Sequence, residues 1–454
     1  MVDSAQALAR AVSAANRNGP RHIIVKPGRY QVPNRGLILS GDGITIRGAS
    51  GRRDDVVIVG GGPNGGATHV FLVQGSDVTV RDMSLGRVKH HVIQIQGERD
   101  ADRPVLHNLR IYDAGEQLVK VSGDKSEARS DQGRVSNSLF EYTPGKAFQS
   151  YSGGIDAHRV ANWHIHDNVF KDIRSPDQGL AEHAIHLWNG SHNNRVERNL
   201  IINADRGIGF GLGERGNVGG TIINNFVHVT RDVGIGLENS PGTYVAHNTV
   251  FAENYPNAIE YRFAGTQDVV LAHNLTNARL RQRNGGSASL VSNIDYATTN
   301  WFRKPSVGDL HLVTGIEVIR GQARPSADVT DDFDCEPRSE SEGIDIGADQ
   351  TRLALDRNFK VNKPNKLLQS VERAVGAGME RIAAVSGSMK SNGVWLIVAG
   401  LLVNLLVMSW LLYSVLRELR AIRRALTSPQ RRSKGRSGAP HLISADDLRR
   451  DDSR

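Results

Sequence analysis

Asp156 and His158 stand two residues apart, and His186 and Trp188 repeat that spacing 30 residues later. On a strand, residues i and i+2 share one face about 7 Å apart. A carboxylate beside an imidazole is the orienter–base pair of general base catalysis, because the acid fixes the tautomer and raises the ring's basicity. His158 or His186 is then the base and Asp156 its orienter, and the chemistry is removal of a proton. Lys120 and Arg206 are cations that could stabilise negative charge developing as the proton leaves. Trp188 offers a flat face for a sugar ring. Glu182, Glu238, Glu260 and Arg262 are candidate binding groups on the same side. His183 and His192 read as structural or solvated side chains.

These residues need a scaffold that stacks short strands. Five segments superimpose: GIDAH (154–158), AIHLW (184–188), GIGFG (207–211), GIGLE (234–238) and AIEYR (258–262). Each alternates an apolar with a variable residue, the signature of a strand with one buried face. Ile93-Gln-Ile-Gln96 and Val119-Lys-Val-Ser122 fit the same register. The outward columns then place Gln94 and Lys120 with Asp156 and His186, and Gln96 and Ser122 with His158 and Trp188. Gly209, Gly211 and Gly236 follow as a floor without side chains, a trough open to an extended polymer.

A second unit, apolar–x–x–Asn, ends at Asn108, Asn137, Asn168, Asn199, Asn225, Asn248, Asn274 and Asn293. From Asn137 to Asn274 the steps are 31, 31, 26, 23 and 26 residues. Such periods belong to solenoids, in which one repeat cannot bury its own apolar face. Asn suits a corner because it tolerates the left-handed region and can bond the next Asn in a ladder. The expected fold class is all-β: a right-handed parallel β-helix over 21–325. A capping helix over 1–20 precedes it, with Ser4 as N-cap and Leu8 and Val12 on its buried face.

The 454-residue chain has a net charge of +8, but the excess is terminal. Residues 351–454 carry 19 Lys+Arg against 8 Asp+Glu, which leaves 37 against 40 of the totals of 56 and 48 for residues 1–350. A near-neutral repeat domain excludes nucleic acid as the partner. The single cysteine, Cys335, excludes an intrachain disulfide framework. Residues 326–350 form an acidic closing segment in which Asp328, Asp331, Asp332 and Asp334 could hold Ca2+; no other cofactor and no resident metal is implied. A basic, partly helical linker (351–393) leads to Val394–Leu416, an uncharged run long enough to span a bilayer. The arginine-rich tail (417–454) follows, and the positive-inside rule puts it in the cytoplasm. This predicts a single-pass membrane protein with its β-helix in the periplasm or outside the cell. Export calls for an apolar leader, which Met1-Val2-Asp3 does not open.

The repeat resembles the pectin-lyase-like β-helix superfamily. The opening (SAQALARAVSAANR, HIIVKPGRYQV, GITIRGA) resembles the first coils of chondroitinase-B- and alginate-lyase-type polysaccharide lyases. Asp156-Ala157-His158 and Glu182-His183-Ala184-Ile185 resemble the Asp-Pro-His-Asp and Lys-His-Gly-Ile segments of periplasmic mannuronan C5-epimerases. In this chain Ala157 stands for Pro, Arg159 for the second Asp and Glu182 for Lys. The resemblance implies a uronate-containing polysaccharide substrate and abstraction of its C5 proton, ending in β-elimination or epimerisation, with Asp156 and His158 in the site. A glycoside hydrolase, using Asp156, Glu182 and Asp205, is the alternative enzyme. A non-catalytic glycan-binding or envelope scaffold is the alternative without turnover.

Overall fold

The computed structural model describes residues 1–351 except 124–126, 314–315 and 342. Ten parallel strands form the sheet that carries the candidate residues: Leu37–Leu39, Phe71–Val73, Ile93–Gln96, Val119–Ser122, Ile155–His158, Ile185–Trp188, Ile208–Phe210, Ile235–Glu238, Asn257–Arg262 and Arg279–Arg283. Nineteen further strands form a second continuous sheet round the coil, and four two-residue strands form a third. The chain is thus a right-handed parallel β-helix with one N-terminal helix. Its interior is one continuous core of Ile, Val, Leu and Phe that includes the column Ile155, Ile185, Ile208, Ile235 and Ile259.

Register follows from the alternation, because a one-residue slip would turn every apolar side chain outward. Lys120 stands opposite Asp156. Asp156 stands opposite His186 and His158 opposite Trp188. His186 meets Gly209, Gly209 meets Gly236, and Glu238 meets Arg262.

Helix Ala5–Ala15 covers the first coil, burying Leu8, Val12 and Ala15. The Ser4 hydroxyl caps it by accepting the Ala7 N–H at 3.1 Å. Asn16 ties the helix to the coil through Ile38 O and the N–H groups of Ser40 and Gly41. The other end of the site sheet is Arg279–Arg283, whose sequence RLRQR leaves it polar and exposed.

The asparagine ladder runs from Asn168 through Asn199, Asn225, Asn248 and Asn274 to Asn293, each Nδ2 donating to the next Oδ1 at 2.9–3.1 Å. One expectation is corrected. The left-handed turn and the ladder are tasks of adjacent residues. The turn falls on the preceding residue, Asp167, Arg198, Asn224, His247, His273 or Ser292, with φ of 45–56°. Asn108 and Asn137 belong to that turn column, with φ of 50° and 51°. The ladder instead continues through Ser138, whose N–H donates to Asn168 Oδ1 at 3.0 Å.

The acidic segment folds back along the flank of the helix. The buried Arg338 guanidinium donates to Asp331 O, Asp345 O, Gly347 O and Asn224 Oδ1. The carboxylates expected to gather round calcium face separate partners. Asp331 pairs with Arg198, Asp332 accepts the N–H groups of Asp334, Glu336 and Gln350, and Asp334 pairs with His311. Asp328 contributes its backbone carbonyl to Arg195. His311 clamps this segment between Asp309 and Asp334, at 2.5 and 2.8 Å. Burial alone would lower the His311 pKa, but the two carboxylates outweigh it and hold it at about 10. A raised pKa gives stability that is complete below the ordinary histidine value and is lost as pH climbs through the raised one. The melting temperature should therefore fall between pH 7 and pH 10, and His311→Gln should flatten that slope; equal slopes would refute the clamp.

Among the described residues no helix is long and apolar enough to cross a membrane. The expected anchor Val394–Leu416, the basic tail and all of the linker but Thr351 lie outside the described residues.

Candidate functional site

Three successive coils bring Lys120, Asp156, His158, His186 and Trp188 together on the outer face of the ten-stranded sheet. Asp156 is 2% exposed and lies at the centre. Its Oδ2 accepts from Lys120 Nζ at 2.5 Å and its Oδ1 from Trp188 Nε1 at 2.6 Å. Lys120 Nζ also reaches His158 Nε2 at 3.1 Å. A buried carboxylate resists ionisation, but here the Lys120 ammonium and the flanking histidines outweigh burial and hold Asp156 at about 2. Burial, and then the Lys120 charge, push His158 down to about 3. His158 is therefore a neutral imidazole at pH 7, partly open to solvent, with its Nε2 lone pair on a lysine N–H. Asp156 orients the ammonium, and the ammonium faces His158. Tyr151, about half of whose surface is exposed, lies near enough to this cluster to feel the charges of Lys120 and Asp156.

His186 is 1% exposed. Its Nε2 faces Gly211 O at 3.2 Å, and its Nδ1 faces Glu182 Oε2 at 3.5 Å and Asp156 Oδ1 at 4.0 Å. His183 packs beside it, ring to ring at 4.6 Å. Burial first, then His186 and Arg206, hold His183 well below the ordinary histidine value. One donor atom each from Glu182, His183 and His186 lies within 4.8 Å of the other two.

Three sequence expectations are adjusted. The glycine trough is partly filled: an ideal Cβ at Gly209 would lie 2.8 Å from His183 Nδ1, so the glycine makes room for that imidazole. Trp188 is buried, with His186 stacked at 5.2 Å and the Arg215 guanidinium 4.3 Å from its ring centroid. A sugar could stack there only by displacing Arg215. Glu260 is not free for a substrate, since Tyr255, Asn257 and Arg283 all donate to it.

The remaining candidates stand apart from the Lys120–Asp156–His158 group. Arg206 pairs with Asp232 at 3.0 Å and adds positive charge near Glu182 and His183. Glu238 and Arg262 form a cross-coil pair at 2.5 Å. Asp205 is fully buried among Arg174, Arg231 and the N–H groups of Ser175 and Ala181, which removes it from any hydrolytic carboxylate pair. The sequence reading gave His183 a structural or solvated place and Gly209 an open floor, and the partnerships of His183, Gly209 and Arg215 in the site were not read from it. Gly209 was legible only once His183 is placed, because a bare outward position implies a neighbour that needs its space. A separate cleft of about 320 Å³ is lined by Lys146, Arg174, Arg231 and Asp177.

Residues 120–279 match the family model described as periplasmic copper-binding protein (NosD). No curated protein sequence matches the chain. Among solved structures, pectate lyase Pel9A is similar at 14% identity over 75% of this chain and 90% of its own, with a TM-score of 0.52. An alginate lyase from Paenibacillus sp. str. FPU-7 is similar at 17% identity over 64% of this chain and 96% of its own, TM-score 0.42. The A-module of a mannuronan C-5 epimerase from Azotobacter vinelandii is similar at 14% over 64% and 90%, TM-score 0.42. At these identities the likeness to the pectate lyase shows the fold and not the reaction.

Proposed function

We propose that this β-helix acts, on the exported side of a membrane, on a uronate-containing polysaccharide by abstraction of the C5 proton. The observation that supports it most is the neutral His158 held 3.1 Å from the Lys120 ammonium. A uronate carboxylate binding to Lys120 would take over the N–H now given to His158, freeing Nε2 as the base. The same ammonium would stabilise the enolate formed as His158 takes the C5 proton. Expulsion of the C4 oxygen with its bonding pair then gives the unsaturated sugar; return of a proton to the opposite face gives the epimer.

The test is the full chain with a panel of uronate polymers, followed by unsaturated-uronate absorbance and by deuterium uptake at C5. Loss of a general base costs about 10²- to 10⁴-fold. His158→Ala should lose that factor in turnover while polymer binding persists. Turnover of a neutral glycan with new reducing ends would overturn the reading in favour of a hydrolase. Polymer retention that never turns over would leave a binding or scaffold role.

The description of the matched family supports a second reading, in which the β-helix carries a copper ion. Two imidazoles and a carboxylate suit a borderline divalent metal such as Cu2+ or Zn2+.

A further inference from the structure

Three clusters of histidines with acids in the described residues bear comparison, and two of them already satisfy themselves. In the C-terminal segment both ring nitrogens of His311 are on carboxylates. Near the N-terminal coils, His90 Nδ1 and His91 Nε2 both face Glu116, and His91 Nδ1 faces Gln117 O. The third group differs. Glu182 Oε2, His183 Nδ1 and His186 Nδ1 are each buried without a hydrogen-bond partner among the described residues.

His186 makes the point most sharply. If Nε2 carries the proton, it donates to Gly211 O, and the Nδ1 lone pair then faces two carboxylate oxygens. If Nδ1 carries it, the Nε2 lone pair faces the Gly211 carbonyl instead. Each neutral tautomer sets like against like. Only a second proton on the ring or a cation at Nδ1 removes the conflict. His183, 7% exposed, adds its own unpartnered Nδ1 to the same space and packs its ring against that of His186. Buried donors and acceptors without partners are costly, so three in one spot call for a common partner.

We infer that Glu182, His183 and His186 form a binding site for one divalent transition-metal ion of the Cu2+/Zn2+ class. The arrangement has the features such sites need. His186 Nε2–H on Gly211 O is the outer hydrogen bond that fixes the ligand tautomer. Two nitrogens and one oxygen favour a borderline ion over Ca2+, which takes six to eight oxygens. Tetrahedral bonds of about 2.0–2.1 Å place donors about 3.3 Å apart, so donors now within 4.8 Å need only small side-chain rotations to close. Gly209 is part of the site, because any side chain there would strike the His183 ring. The inference rests on the copper-carrying reading, to which it adds the ligands, and stands apart from the C5-proton reading: the ion can be measured with no polysaccharide present.

The test uses the full chain, stripped with a chelator and dialysed, and titrated with Zn2+ against a chromogenic chelator and with Cu2+ by electron paramagnetic resonance. We expect one ion per chain and 14N couplings from two imidazoles. His183→Ala, His186→Ala and Glu182→Gln should each weaken Zn2+ by about 100-fold or more, the upper end of what loss of an outer partner alone produces. Gly209→Ala keeps every donor and should weaken it comparably by displacing His183. The exposed His22→Ala should change nothing. Wild-type couplings remain informative even where a variant folds poorly. An ion whose affinity ignores His183→Ala and His186→Ala would overturn the site. So would 15N spectra showing a doubly protonated His186 that Zn2+ leaves unchanged. Failure of the His158→Ala experiment would not bear on either result.

Discussion

Lys120→Met should cost the folded protein about 3–5 kcal/mol, the usual penalty for removing one partner of a buried ion pair. The side chains of Lys120 and Asp156 are 10% and 3% exposed, so water cannot take the place of the missing ammonium. Asp156 would keep only Trp188 Nε1 as a donor. Asp156→Asn removes the opposite charge and can still accept from Trp188. The double variant should therefore recover a large part of what Lys120→Met loses, which a thermal or denaturant double-mutant cycle reads directly. A Lys120→Met penalty under about 1 kcal/mol would mean the pair behaves as a solvated one. All the charge variants should also lose turnover, because Lys120 is the proposed partner of both the substrate carboxylate and His158. Comparing His158→Ala with them separates the two roles, since the partly exposed histidine carries chemistry without bearing the buried charge.

Asn225→Ala is expected to be about as damaging, at about 4 kcal/mol. The Asn225 side chain accepts the N–H and Nδ2 of Asn199 and donates to Val196 O, Ile223 O and Asn248 Oδ1. Alanine strands the Asn199 N–H and the Val196 carbonyl in a corner with no solvent access, at about 1–3 kcal/mol for each orphan. It also interrupts a chain of amides that polarise one another. Asn293 ends the ladder in a half-buried coil, and water can reach the groups it leaves. Asn293→Ala should therefore cost less than half as much. Equal midpoints of unfolding for the two variants would show that the ladder decorates the fold without supporting it.

The sheet was legible in the sequence because alternation fixes both face and register. Lys120, Asp156 and His186 fall in one outward column, as that pattern demands. The pattern was weaker where strands are three residues long. Leu37–Leu39 and Phe71–Val73 are too short and too uniformly apolar to show a period, and both went unread. The ladder was recognised, yet its register was mixed, since Asn serves the left-handed turn at 137 and the amide chain at 168, and composition alone cannot separate those duties. Side-chain partnerships in the site were the least accessible. Whether Trp188 is free or covered depends on Arg215, which arrives from the neighbouring coil's turn. His183 lies just outside the alternating segment, where periodicity assigns no face, so its convergence on Glu182 and His186 needed coordinates.

A coil is stackable on any other coil, so the last one has the geometry to accept a second molecule and grow without limit. One end is closed by the helix Ala5–Ala15. At the other, the outermost described strand of the site sheet bears Arg279, Arg281 and Arg283, the last of them held by Glu260. Two such ends approaching one another bring arginine rows face to face, and the repulsion rejects the encounter before backbone groups can pair. The protection is electrostatic, so it is conditional: a multivalent anion bridging those rows would turn a barrier against filament formation into an adhesive.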